Sequence, residues 1–466
     1  MTSVSRDDAG ATVRSEGITG RWKDWLGKNR AGAILCLFAL LFSGAITVLH
    51  DETASPVDEL VYIDYTYKTL SQGMVFEGEQ FGVDVAQLVA CEGVFPFGTL
   101  GQECGSGEVL PESMPNEGYT TGAPYTPVYF WITRVLGDGI QFLTGLPQVT
   151  SWRLTGSFWL AAGILVFTSL LSRWRVPQRT TLVLGALFIV SPYSWWTYTY
   201  LSTDVTAFFF GAVMLWLATE VAASRRSPWW FLPLALAAVT FKITNLLAFG
   251  LVGLFFLVDG ISRALAQRRE SASIRPQWRA QVNLWAALVA SAIAGFGFQL
   301  LWLRLLPLLA VSDVRADQGV SLPLDLMTFA KLFTVGPGAA ISHNPLGGIN
   351  GAELLSVMAT PLSWLSIAAV FGSLMVLRWN AQRGPIIWAT ALSTVLALPL
   401  LGLTFSLVTG SYFNLPGRYA ASLIPAVLLL AGFMLKNRFT MTVLAAYAGA
   451  LALAGVSLAL FIRAYF

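Results

Sequence analysis

The chain has 466 residues, of which 55% are hydrophobic and only 12% charged, with 29 Lys/Arg against 26 Asp/Glu and a mean hydropathy of +0.63. A soluble domain carries about twice that charge, so the composition excludes one. The small net charge of +3 hides a sorting by sign: residues 51–117 hold 13 of the 26 acidic residues and a single base, Lys68. Of the 29 Lys/Arg, 20 fall in the first 30 residues or in short clusters between apolar segments, which is the pattern of cytoplasmic segments and not of a nucleic-acid surface.

In chain order, residues 1–30 carry six Lys/Arg and read as a cytoplasmic tail without a cleavable signal peptide. Residues 31–466 then read as one transmembrane domain. Its first span, AGAILCLFALLFSGAITVLH from Ala31, has the ~20 residues a bilayer requires. A long outer loop follows over residues 50–153. Within it, PYTPVYFWITRVLGDGIQFL from Pro124 is rich in aromatic residues. Counted as a span it would invert every later basic cluster, so it is expected to lie on the membrane surface as an amphipathic helix.

Spans are predicted near 154–172, 180–198 and 203–222, and the stretch 229–261 is read as two short helices meeting at Lys242. A span near 281–309 leads to a second outer loop, 310–358, and four more fall near 361–378, 385–408, 419–435 and 440–463. The expectation is an all-α polytopic membrane protein of about eleven spans, in a bacterial plasma membrane, with no internal repeat.

The polar residues of so apolar a chain are the candidates for chemistry. Asp58 and Glu59 follow the first span in SPVDELVYIDYTYKTL; on a helix two adjacent carboxylates cannot both enter one site, and Asp58 is equally suited to cap the helix. Asp204, in TYLSTDVTAFFFGA, sits at the outer end of a span at the same depth as Asp58, where it too could be a cap. Lys242, in VTFKITNLLAF, is a lone cation between apolar helices, either functional or snorkelling to the interface. Arg418, beside Gly417, suits a phosphate; Arg153, Arg304 and Arg315 are weaker candidates.

Cys91 and Cys104 share the first outer loop, where a disulfide is expected and two free thiols are the alternative. The two histidines leave no His-rich metal site, and His343 reads as an ordinary loop residue. No Walker A, GxGxxG or HExxH pattern is present.

In order and in membrane side, these features resemble the GT-C glycosyltransferases. The matching residues are Asp58-Glu59 followed by Tyr62, Asp64 and Tyr65, the Ala123–Tyr129 approach APYTPVY, Ser202-Thr203-Asp204, Phe241-Lys242-Ile243-Thr244, and Gly417-Arg418-Tyr419 with Pro425. The first loop departs from the family in lacking a DxD and in its cysteine-bearing insertion.

The resemblance implies inverting transfer of a sugar from a polyprenyl-phosphate donor to a cell-envelope glycan, lipid or protein acceptor on the extracytoplasmic face. By the same resemblance Asp58 and Glu59 are the catalytic acids, while Lys242, Arg418, Asp204, Tyr62 and Tyr419 bind substrate. It fixes no cofactor and leaves a divalent cation open. The alternative from scattered intramembrane charge is a transporter or flippase of lipid-linked saccharides.

Overall fold

A computed structural model describes residues 30–50, 52–270, 277–314, 322–349, 352–378, 380, 382–410 and 412–465. Apart from Arg30, the expected cytoplasmic tail lies outside the described residues, as does Arg315. Among the described residues the fold is all-α, with isolated β-bridges but no strand. Helix α1 (Arg30–Leu49) precedes α2 (Glu59–Gln72), α3 (Val83–Cys91), α4 (Val128–Thr144) and the short α5 (Gln148–Arg153), which runs into α6 (Thr155–Arg173). Then come α7 (Gln178–Ile189), α8 (Pro192–Thr199), α9 (Ala207–Ala222), α10 (Phe231–Phe241), α11 (Leu246–Glu270) and α12 (Gln277–Leu305). The remaining helices are α13 (Leu326–Ser342), α14 (Glu353–Leu377), α15 (Gly384–Thr409), α16 (Ile424–Met434) and α17 (Arg438–Tyr465).

Nine helical stretches among the described residues are long and apolar enough to cross a membrane, as expected of a polytopic membrane protein. Nine of the eleven expected spans fall on them; the other two fall on the shorter apolar helices Gln178–Ile189 and Pro228–Phe241. The first of these short helices has a local cause. Pro192 has no N–H to continue α7, and the Ser191 hydroxyl accepts from Ser194 N at 3.2 Å to start α8 instead. The second ends at Lys242, whose extended backbone (φ −164°, ψ 133°) separates α10 from α11 where the sequence predicts a break.

The region read as a second outer loop, 310–358, differs from expectation by containing α13. Asp325 caps it, accepting from Thr328 N at 2.6 Å, and it packs on α14 and α15. The helix continues through Gly336-Pro337-Gly338. A Cβ at Gly336 would strike the carbonyl of Thr394, so here the glycine serves close helix contact.

In the first connection, α4 buries Tyr129, Phe130, Thr133 and Gly137 against the fold while exposing Val135, Leu136, Phe142 and Leu143. Those two faces are what a helix lying on a membrane surface needs. Cys91, at the end of α3, is joined to Cys104 by a disulfide. The bundle core is built by α1 on α6, α6 on α9, α10 on α12 and α11 on α15.

Closing a loop of this length constrains the unfolded chain by about 3 kcal/mol in the chain-entropy account. Alkylation of native membranes should leave Cys91 and Cys104 unmodified until a reductant is added. Labelling of both without reduction would contradict the bridge.

Candidate functional site

Asp58 and Glu59 are neighbours in sequence and point to different places. The backbone at Asp58 is left-handed (φ 58°, ψ −18°), a region that residues other than glycine seldom occupy, and its side chain makes no capping bond to α2. Instead, Asp58 Oδ2 accepts from Arg418 Nη2 at 2.5 Å. Arg418 Nε donates to Asp204 Oδ2 at 3.1 Å, and Lys242 Nζ donates to Asp204 Oδ1 at 2.6 Å. Two carboxylates and two cations therefore form one chain of contacts: Asp58, Arg418, Asp204, Lys242. Their side chains are not equally covered. Lys242, Asp204 and Arg418 are 6%, 1% and 8% exposed, whereas Asp58 is 37% exposed. Asp58 is the open end of an otherwise buried group.

Each member is delivered by a break in helical structure. Asp204 lies in the 3-10 turn Thr203–Thr206, where the Ser202 hydroxyl accepts from Asp204 N at 3.2 Å. Tyr193 OH donates to the Asp204 carbonyl at 3.1 Å. Lys242 stands at the α10–α11 break, which Asn245 ties to the Asp204 turn by donating to Thr206 Oγ1 at 3.1 Å. Arg418 belongs to the 3-10 segment Gly417–Leu423, which can lie on α9 because Gly211 has no side chain: a Cβ there would collide with the Ser422 carbonyl. Aromatic rings complete the walls. The Tyr419 ring lies 4.8 Å from Lys242 Nζ, and the Trp196 ring 5.3 Å from the Arg418 guanidinium carbon.

Tyr62, from α2, shares a 3.1 Å hydrogen bond with the Tyr125 hydroxyl, and the rings meet edge to face. Burial first, then the neighbouring Tyr125 and Asp58, hold the Tyr62 hydroxyl well above the usual phenol range. Burial and Asp58 do the same to Tyr125. Both hydroxyls stay protonated; one donates to the other, which leaves one O–H of the pair as a donor next to Asp58.

Glu59 is turned away from this group and fully buried. Its Oε1 accepts from Arg153 Nε at 2.8 Å and Leu201 N at 2.8 Å; its Oε2 accepts from Ser55 N at 2.7 Å and Arg153 Nη2 at 3.0 Å. Arg153 Nη2 also donates to the Thr53 carbonyl at 2.9 Å. Four donors leave this carboxylate little capacity to meet a substrate, and its contacts are those of a clamp. The structure thus brings together Asp58, Asp204, Lys242, Arg418, Tyr62 and Tyr419, and sets Glu59 behind them. Sequence reasoning passed over Trp196, named Tyr125 only as part of the APYTPVY approach, and ranked Arg153 low. A buried arginine in a long apolar stretch was the available signal for Arg153, since such a charge requires a partner. Among the described residues, no group of three or more His, Cys, Asp or Glu side chains is placed to hold a metal ion.

Removing one partner of a buried ion pair leaves the other charge uncompensated and costs about 3–5 kcal/mol. Glu59→Ala and Arg153→Ala are expected to destabilise the purified protein by about that much, read from thermal or denaturant unfolding. Asp58→Asn, at the open end, is expected to cost far less. Equal losses for Glu59→Ala and Asp58→Asn would contradict this division of roles.

Comparison with protein families, with curated proteins and with solved structures finds no match for this chain, so the assignment of a function rests on its own residues.

Proposed function

We propose that the protein is a membrane glycosyltransferase of GT-C type. It moves a sugar from a polyprenyl-phosphate donor to an acceptor hydroxyl at the extracytoplasmic face, with the N-terminus in the cytoplasm. The observation that carries this reading is the partly open Asp58 carboxylate in contact with a buried Arg418, which shares Asp204 with Lys242. That is a base beside a cationic seat, the two elements that displacement of a phosphate from an anomeric carbon needs.

In the proposed step the acceptor oxygen attacks the anomeric carbon from the side opposite the phosphate. The new C–O bond forms as the bond to the phosphate oxygen breaks, and that electron pair leaves with the lipid phosphate. The acceptor proton passes to the Asp58 carboxylate, and the anomeric centre inverts. Arg418 and Lys242 meet the charge that grows on the leaving phosphate, so the leaving group needs no protonation. Asp204 holds both cations in register. Glu59 supports Asp58 through the turn it clamps, and the Tyr62–Tyr125 pair donates its one remaining O–H to a substrate oxygen near Asp58. The exposed apolar faces supply contact with membrane lipids.

One observation favours a flippase of lipid-linked saccharides as a second reading: Lys242 lies at a break between two apolar helices, a geometry also used in transport. Purified protein given radiolabelled polyprenyl-phosphate sugars and envelope acceptors separates the two. Transfer is the expected result; movement of the lipid across a vesicle without transfer would overturn the enzyme reading. Within the assay, Arg418→Ala and Lys242→Ala should each weaken donor binding, and Arg418→Lys should recover little, because a lysine lacks the planar two-pronged donor set. Unchanged donor binding in both alanine variants would move the phosphate elsewhere.

Sidedness has its own test. Reporter fusions after Arg226 and Arg383 should read cytoplasmic and one after Ser321 extracytoplasmic. A fusion at Arg175 that reads extracytoplasmic would invert the arrangement and place α4 across the membrane.

A further inference from the structure

Between α13, α14 and the turn that joins them lies an open cavity of about 490 Å³, within the roughly 300–1,000 Å³ range of small-molecule sites. Its polar wall is made by Thr334, Ser342, His343, Asn344, Ser356 and Ser363, and among the described residues no Asp, Glu, Lys or Arg lines it. Most of these groups are held in place by one another. Ser363 Oγ donates to Ser342 Oγ at 2.6 Å, and Asn344 Nδ2 donates to Ser356 Oγ at 2.9 Å. The imidazole is the exception: His343 Nε2 is buried and has no hydrogen-bond partner among the described residues. A buried polar atom in that condition is rare and asks for an explanation.

The composition of the wall selects the occupant. A phosphate or carboxylate would lose its water and meet no cation there. An apolar group would strand the hydroxyls and the imidazole. A neutral group with several hydroxyls would satisfy both, because each Ser, Thr and Asn keeps unused hydrogen-bonding capacity. The cavity also adjoins the charged group. Helix α13 packs on the Gly417–Leu423 segment, and Arg418 and Asp204 both act electrostatically on His343. Burial first, and then the Arg418 charge, push the His343 imidazole down to about 4, so it is neutral at physiological pH and can offer either a proton or a lone pair.

We propose that this cavity is a second binding site, for an uncharged, hydroxyl-rich group of saccharide type, with His343 Nε2 as its central hydrogen-bond partner. Resting on the glycosyl transfer proposed above, the occupant is the acceptor saccharide. The sugar of the donor has the same chemistry, and the test distinguishes them.

The chain has only two histidines: His50 is completely buried, whereas His343 is half-buried and borders the open cavity. Acylation by diethyl pyrocarbonate, followed by mass mapping, therefore reads His343. With the full chain in lipid nanodiscs, methyl glycosides of common hexoses and pentoses should slow acylation at His343 about fivefold or more, and inorganic phosphate should not. Ser356→Ala and Ser363→Ala should acylate at the wild-type rate without sugar and lose the protection. No protection by either a methyl glycoside or a polyprenyl-phosphate sugar, equal protection by phosphate, or full protection in both serine variants would overturn the proposal. Protection by a polyprenyl-phosphate sugar but not by the free glycosides would overturn the acceptor assignment in favour of the donor. Sugar transfer measured on the same samples separates the two readings: transfer without protection removes the cavity proposal alone, and protection without transfer removes the enzyme reading alone.

Discussion

The arrangement depends most on the buried ion pair between Glu59 and Arg153. It does more than neutralise two charges. Through Ser55 N and Leu201 N, the Glu59 carboxylate joins the turn before α2 to the segment that leads into the Asp204 turn, and Arg153 anchors both to the junction of α5 and α6. Trp196 Nε1 adds a bond to Ser55 Oγ at 2.9 Å, so α8 is tied to the same turn. Asp58 sits inside that turn. Its left-handed backbone is costly by itself and persists where the surroundings determine it; here Glu59 fixes both the turn and the start of α2. The catalytic role proposed for Asp58 is thus a consequence of where its neighbour is bound.

Charge balance explains the rest of the group. Asp204 alone among strong cations would be overcompensated, and Arg418 with Lys242 alone would be two unpaired charges in an apolar bundle. Together with Asp58 they sum to zero, and each buried member has a partner within hydrogen-bonding distance. The open member, Asp58, is the one that a substrate can reach.

Much of this was legible in the sequence because polar residues are costly in an apolar chain. Asp58, Asp204, Lys242 and Arg418 stood out for that reason, and such groups must find one another when buried. The Lys242 break was legible too, since the apolar stretch around it is too long for one crossing. What periodicity could not supply is where Asp58 and Glu59 point: the left-handed residue interrupts the helical phase between them. The clamp role of Arg153 depends on a partner 94 residues away, which no local pattern encodes. Helix α13 lies in a region read as an outer loop, where Gly336 serves close packing, and the division of α7 from α8 falls at a Ser-Pro pair inside what was read as one span.

The central claim is that Asp58 takes the acceptor proton while the cations behind it hold the donor. Single-turnover transfer with donor already bound tests it most directly, comparing wild type with Asp58→Asn. The amide keeps the size and much of the hydrogen bonding of the carboxylate but is not a base. The account predicts unchanged donor affinity and a transfer rate lower by ~10²–10⁴-fold. A wild-type single-turnover rate in Asp58→Asn would contradict it.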